Sequence, residues 1–493
     1  MTELQYKTVC KLCDEVLSMD HLGTELIAIP WLHVIREHPI FLNDYEEIYN
    51  DKKGPNFYAF LKNILVKFLL NFRFIIESSL SLYKKRRLDN TRALNSDFLF
   101  ISHLINDSQL RENNDFYFSN LPQDLYSSGL TSQIALINHT QYNSCEINKN
   151  WGENQIPRFI FHNYIGFIIE MKLLLISFLL SIRLYFKINS KRSILGNKIL
   201  FFASLKAFDC IPNLRLGYQV EQLVIKIKPK FIITTYEGHA LERILFAKAR
   251  KINQEIMCIG YQHALVFKLQ HAIRRNLASI YNPDIIFTSG EIGKNQLENS
   301  RTLNGVKIDI LGSNRGSNKT HEIKPESVIG GKSTCLVIPE ALHNECDLLF
   351  NLSLEYALKN NNINFIWRLH PLMSFESLLK GNPCFNDLPS NIILSKQSLE
   401  DDISTSEFVL YRGSTAVVKA VLSGLIPIYF SQENEMIIDP LYEQDKGKHV
   451  ITSAFDLNLV FDRDLKKQDH SELLNYCKSL FTELNVNKLI ELN

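Results

Sequence analysis

The chain has 493 residues, 45% apolar and 22% charged, with 54 lysines and arginines against 53 aspartates and glutamates. This length exceeds one ordinary core and predicts two or three domains, and the composition excludes wholesale disorder. A formal net charge of +1 gives no global pull on nucleic acid, no binding motif for it is present, and no nucleic acid partner is expected.

The opening stretch MTELQYKTVCKLCDEVL lacks the apolar core of a secretory signal, so a cytoplasmic location is expected. Nine scattered cysteines fit a reducing compartment better than a disulfide framework. Cys10 and Cys13 form one CxxC without a second pair or nearby histidines at ligand spacing, so neither metal nor redox cofactor is expected. Residues 1–96 read as a mostly helical decoration. Within them FLKNILVKFLLNFRFIIESSLSLYKKRR (60–87) is apolar with a basic end at Lys84 to Arg87, and YIGFIIEMKLLLISFLLSIRLYFKINSKR (164–192) is similar. In the latter the longest uncharged core is Leu173 to Ile182, short of the roughly 20 residues a span needs. Core helices, interfacial helices held to anionic lipid by their basic edges, and least of all a true span are the readings.

From about residue 97 the chain repeats one rhythm of apolar run, polar loop and helical pattern. Strands are expected at 97–104, 133–139, 198–205, 230–238, 255–263, 284–290 and 307–313. After a polar linker at 314–333 they resume at 333–340, 364–371, 391–395, 407–415 and 425–431, with helices over 344–359 and 416–423 and a tail helix over 470–488 that packs back across the interface. Runs that are apolar without alternation mark strands buried on both faces, hence parallel sheets covered by helices. The expected class is α/β, two Rossmann-like doubly wound domains over 97–325 and 326–493. Ligands of such sheets bind beyond the carboxyl ends of the strands, where His103, His139, Glu237, His239, His263, Glu340, His370 and Arg412 to Thr415 fall.

In TTYEGHALER, Glu237 ends a strand, Gly238 permits a tight turn and His239 starts a helix carrying Glu242 on the same face. Glu237 can act as base toward an acceptor hydroxyl or as nucleophile, with His239 and Glu242 as candidate partners; a helix cap with a surface Glu-Arg pair is the plain alternative. His263 with Arg274 and Arg275 would suit a charged substrate, or a solvated face. Glu340 is a candidate for ribose or base contacts. Arg368 and His370, with Pro371 fixing the turn, and the loop Arg412, Gly413, Ser414, Thr415 suit a nucleotide phosphate, Ser414 alternatively serving only as a cap. Asp401 and Asp402 read as solvated loop residues.

The order acidic-Gly, His-Pro, Ser-Thr resembles the bacterial sialyltransferases and polysialyltransferases, which have the two-domain GT-B arrangement, and the layout is similar to that of the Kdo transferases of capsule and O-antigen synthesis. The resemblance covers roughly 230–430, with Tyr236-Glu237-Gly238, His370-Pro371 and Ser414-Thr415 in the three places, and departs from the pattern in having Tyr236 where an acidic pair would begin. It implies a metal-independent glycosyltransferase that moves an acidic sugar from a CMP-sugar donor to a surface glycan or lipid-linked acceptor, working peripherally at the inner face of the cytoplasmic membrane. The second domain also resembles teichoic-acid polymerases that use CDP-glycerol or CDP-ribitol, and a nucleotide-sugar epimerase or a non-catalytic assembly scaffold are further readings.

Overall fold

The computed structural model describes the chain except residues 20–21, 51–53, 83–94, 141, 143, 145–146, 148–155, 316–331, 372 and 462–469. The basic run at 84–87 and nearly all of the expected linker lie outside the described residues. The described strands form two parallel sheets. The first contains β1 (Phe98–Leu104), β2 (Ser132–Asn138), β3 (Arg158–Ile160), β4 (Phe231–Thr235), β5 (Met257–Gln262), β6 (Ile285–Thr288) and β7 (Lys307–Ile310), in the order β3-β2-β1-β4-β5-β6-β7. The second contains β8 (Ser333–Val337), β9 (Ile363–Trp367), β10 (Ile392–Leu394), β11 (Phe408–Tyr411), β12 (Ile426–Phe430) and β13 (His449–Ile451), in the order β10-β9-β8-β11-β12-β13. Both are doubly wound, with the reversal of strand order between β1 and β4 and between β8 and β11. The expected pair of Rossmann-like units is what the chain folds into, and the crevices at those reversals are where such sheets present ligands.

One expected strand is a helix. Residues 198–205 lie in the helix Ile194–Leu205, capped by the Ser193 hydroxyl, which accepts from the Gly196 amide. Its apolar run is packed against other helices rather than in a sheet: Ile199, Leu200 and Ala203 join one core with Val9, Leu32, Ile48 and Leu174. That core gathers the helices Glu3–Leu17, Pro39–Asn50 and Phe57–Leu82 with the helices Phe167–Tyr185 and Ile211–Ile227 that run between β3 and β4. Among the described residues no helix is long and apolar enough to cross a membrane.

The end of the chain returns to the first sheet. After the helix Ser471–Leu480, the amide of Thr482 donates to Ser289 O at 2.9 Å, the amide of Ser313 donates to Thr482 O at 2.8 Å, and Leu489 enters the core of the first sheet. A second junction is the loop after β5: Leu265 is buried among Leu336, Ile338 and Tyr411 of the second sheet.

Candidate active site

At the first reversal, β4 stops at Thr235 and the chain turns through Glu237 and Gly238 into the helix Ala240–Ile252. Gly238 has φ +80°, and a Cβ there would lie 2.0 Å from Ala272 O, so both the turn and the crowding demand glycine. The amides of Glu237, Gly238 and His239 all donate to the Glu242 carboxylate, at 3.0, 2.7 and 2.9 Å. Glu242 is buried; burial pushes its pKa up to about 7 against the pull of His239 and of these amides. This corrects the sequence expectation for Glu242. Both its oxygens are spent on the turn, so it shapes the corner and does not meet a sugar.

Glu237 remains one quarter exposed, with His239 Nε2 3.7 Å from one carboxylate oxygen and His263 Nε2 4.0 Å from the other. Tyr117 packs edge-on to His263 at 4.7 Å and to His103 at 5.5 Å. His103 Nδ1 lies 2.9 Å from His139 Nε2, and its Nε2 lies 3.0 Å from Thr235 Oγ1. Four neighbouring strands, β2, β1, β4 and β5, thus place His139, His103, Glu237 with His239, and His263 around one crevice. Tyr236 is fully buried beneath it and crowds Gly260, so Glu237 is the single carboxylate of its motif. Arg315, exposed and stacked on Phe481 at 5.3 Å, acts electrostatically on Tyr117 and His263.

Burial lowers the pKa of His103 to about 3, with His139 and His263 adding to the effect, and burial lowers His139 and His263 as well. A histidine whose folded pKa is depressed binds more protons when unfolded, so its contribution to stability is complete above about pH 6.5 and is lost as pH falls toward the folded value. Glu242, with a raised pKa, works in the opposite sense between about pH 7 and 4.5. The stability difference between wild type and His103→Gln is therefore expected to shrink from pH 7.5 to pH 5, by up to about 1.4 kcal/mol per pH unit. Urea melts at the two values check this, and a difference independent of pH would remove His103 from the neutral cluster.

Arg274 and Arg275 are engaged elsewhere. Arg275 is buried, donates from Nε to Asp14 at 2.5 Å and bolts the helix Glu3–Leu17 to the first sheet's unit. Arg274 donates to the carbonyls of Phe267 and Gln270 and lines a cavity of about 550 Å³ shared with Tyr6, Asp14 and Lys268. The expectation of a charged substrate-binding pair fails for Arg275, whose buried guanidinium is spent on the partly exposed Asp14 carboxylate.

At the second reversal Glu340 follows β8 and the loop Arg412 to Thr415 follows β11. A Cβ on Gly413 would meet Glu340 Oε2 at 2.1 Å, so the Glu340 carboxylate lies directly over the bare backbone of that loop. Two residues from the N-terminal region hold it there. Arg36 donates to Glu340 Oε1 at 3.2 Å, and His38 Nε2 is 3.0 Å from Glu340 Oε2 and 3.5 Å from Glu345 Oε1. Burial opposes the Glu340 charge, but His38 and Arg36 outweigh it and hold its carboxyl below the usual range. The same segment grips the first unit: Glu37 accepts from the Leu269 amide at 2.7 Å, and Arg36 stacks on Phe267 at 4.1 Å. His38, Glu340 and Glu345 are of metal-ligating types and close together. Their charges are balanced by Arg36 and Arg412, and against the opposing effect of burial the two carboxylates raise the pKa of His38. Sequence reasoning passed over Arg36 and His38 because their partners lie about three hundred residues away.

Arg412 is buried and paired with Glu345 at 2.7 Å and Glu435 at 2.5 Å, so it braces the loop from below and has no charge to spare for a phosphate. Arg368 likewise pairs at 2.6 Å with Asp402, which is buried in the helix Leu399–Ser404 and is not the solvated loop residue expected. Ser414 and Thr415 are half-buried, and the Thr415 side chain does not cap the helix Ala416–Leu422. With only seven residues that helix has a weak dipole, so hydroxyls and amides must carry any phosphate contact. His370 is exposed past the end of β9, the neighbour of β8. The loop 263–267 ties the two crevices together, running from His263 beside Glu237 to Phe267 beneath Arg36, which holds Glu340.

No protein-family model matches the chain, and no curated protein matches it. Solved structures similar to it include a UDP-GlcNAc 2-epimerase from Methanocaldococcus jannaschii (12% identity, TM-score 0.45, covering 80% of this chain and 98% of that one). MurG from Acinetobacter baumannii is similar at 10% identity and TM-score 0.43, covering 80% and 99%. Anabaena Alr3699/HepE, solved with UDP and glucose, is similar at 10% identity and TM-score 0.45, covering 80% and 98%. The fold assignment rests on the two strand orders themselves.

Proposed function

We propose that the chain is a glycosyltransferase that takes a sugar from a nucleotide donor held at the second sheet and passes it to a hydroxyl of an acceptor held at the first. What supports the reading is the position of Glu237, a partly exposed carboxylate flanked by His239 and His263 at the crevice of the first sheet. Glu237 takes the proton of the acceptor hydroxyl, whose oxygen attacks the anomeric carbon as the bond to the phosphate oxygen breaks. If configuration is retained, Glu237 instead attacks that carbon as the bond to the phosphate oxygen breaks, and the acceptor hydroxyl then displaces it, its proton passing to the departed phosphate. His239 and His263 orient the carboxylate. His370, Ser414, Thr415 and the amides around Gly413 meet the leaving phosphate, which is how the reaction proceeds without a metal ion.

Glu340 must move off Gly413 for a phosphate to approach, and its release would leave Arg36 and His38 facing the same anion. The order of the three motifs favours a CMP-activated acidic sugar, Kdo or sialic-acid-like, and a surface glycan or lipid-linked acceptor of capsule, O-antigen or lipooligosaccharide, handled at the membrane's inner face. The similar solved structures include one of a UDP-GlcNAc 2-epimerase bound to UDP-GlcNAc, so a uridine donor belongs in the test. Incubation with CMP-Kdo, CMP-sialic acid and UDP-GlcNAc, following free nucleotide, is expected to show release from one CMP-sugar. Release of UDP alone would replace the donor assignment, and release from none would remove the transferase reading.

A further inference from the structure

We propose that the paired helices Phe57–Leu82 and Phe167–Tyr185 form a docking face for an anionic lipid surface. The inference locates the membrane side of the reading above, and it does not depend on the chemistry of the crevices. The helices lie antiparallel, with Phe60 stacked on Tyr185 at 4.2 Å, Phe68 against Phe178 at 5.4 Å and Ser79 against Tyr164. The inner side of the first helix is an ordinary core face, with Phe60, Ile64 and Ile75 buried. Its outer side is apolar too: Leu65, Leu69, Leu70 and Leu80 are 54%, 62%, 59% and 69% exposed. The second helix extends the patch with Ile168 at 83% and Leu175 at 49%, and Phe186 just beyond it is 74% exposed. An apolar stripe on the outer side of a helix whose inner side is already packed belongs against a second apolar phase, and a patch of this extent on a water-facing surface marks a binding face.

Charge selects the occupant. The first helix carries Lys62, Lys67 and Arg73 against Glu77; Arg73 pairs with Glu77 and Lys67 with Asp209, which leaves Lys62 in excess. Within and just after the second come Lys172, Arg183, Lys187, Lys191 and Arg192, against a single Glu170 that is buried on Arg215. The region is cationic in a chain whose total charge is balanced. Two copies meeting through this face would bring their basic rims together, whereas anionic headgroups neutralise them while the acyl boundary covers the leucines. Neither helix is apolar and long enough to cross a bilayer, so the pair lies in the interface with its basic side chains reaching to the headgroups. The helix Ile211–Ile227 packs on Phe167–Tyr185 and on Ala240–Ile252, the helix that begins at the Glu237 corner. The lipid face is thereby one helix removed from the acceptor crevice, as a lipid-linked acceptor requires.

Co-sedimentation of the full chain with vesicles of phosphatidylcholine, with and without about one third phosphatidylglycerol, tests this. Wild type is expected to pellet with the anionic vesicles at least about tenfold more strongly than with the neutral ones, and to be released by salt. Leu69→Glu with Ile168→Glu should abolish pelleting while leaving the melting temperature unchanged, since both side chains are exposed. Wild type that stays in the supernatant with both vesicles overturns the proposal. So does a dimer in analytical ultracentrifugation that the double variant dissociates, because a second copy then covers the face. Nucleotide binding, measured in solution without lipid, is unaffected by either failure, and loss of donor turnover leaves vesicle binding untouched.

Discussion

Glu237→Gln is expected to lower the transfer rate about 10²- to 10⁴-fold while leaving nucleotide affinity within about twofold. Glutamine keeps the size of the side chain and removes the charge and the basicity. The amides of the turn donate to Glu242, so the substitution leaves the corner's own hydrogen bonds intact. The partners it does disturb are His239 and His263, at 3.7 and 4.0 Å, and they are too loosely placed for their rearrangement to unfold anything. A rate loss without a stability loss separates a catalytic carboxylate from a capping one. Steady-state turnover with calorimetric nucleotide titration measures both, and a variant that transfers at the wild-type rate would take Glu237 out of the reaction.

Gly238→Ala should be the most damaging small substitution on the stability side, at about 2–4 kcal/mol from left-handed strain plus overpacking. The added Cβ would sit 2.0 Å from Ala272 O and 2.6 Å from the Ile273 amide. That segment cannot retreat, because the buried Arg243 guanidinium donates to Gly238 O, Ala272 O and Arg275 O and to Asn282 Oδ1. Arg243 ties the Glu237 turn and the short helix His271–Arg274 into one unit, and the alanine pries that unit open from within. Chemical denaturation reads the loss as a lower midpoint at unchanged slope. A shift under about 1 kcal/mol would mean that the corner relaxes and that the glycine is not required.

The strands that position both crevices were legible because they are buried on two faces and therefore apolar without a break. The same signal misled at 198–205, where Ile199, Leu200 and Ala203 are buried by other helices instead of by sheet layers. The edge strands β3 and β13 went unseen: each has three residues, and Arg158 or His449 at its start breaks the apolar run, whereas the equally short β10 is apolar throughout. Within the site, Glu237, His239 and His263 were legible from their places after strands. What could not be read was which charges are already spent. Arg275 ends on Asp14, Arg412 on Glu345 and Glu435, and Arg368 on Asp402, each an ion pair closed by tertiary packing. Arg36 and His38 were hidden for the complementary reason: they come from an N-terminal region with no strand rhythm, and only the folded chain brings them onto Glu340.

We propose that a nucleotide sits at the Glu340 and Gly413 corner of the second sheet. Amide hydrogen exchange of the full chain with and without CMP, and in parallel with UDP, tests it at the residues concerned. Slowed exchange is expected at 338–342 and 412–418 with CMP, accompanied by a change at 36–40 as Glu340 leaves its clasp. Protection by neither nucleotide, or protection confined to segments outside the second sheet, would contradict it.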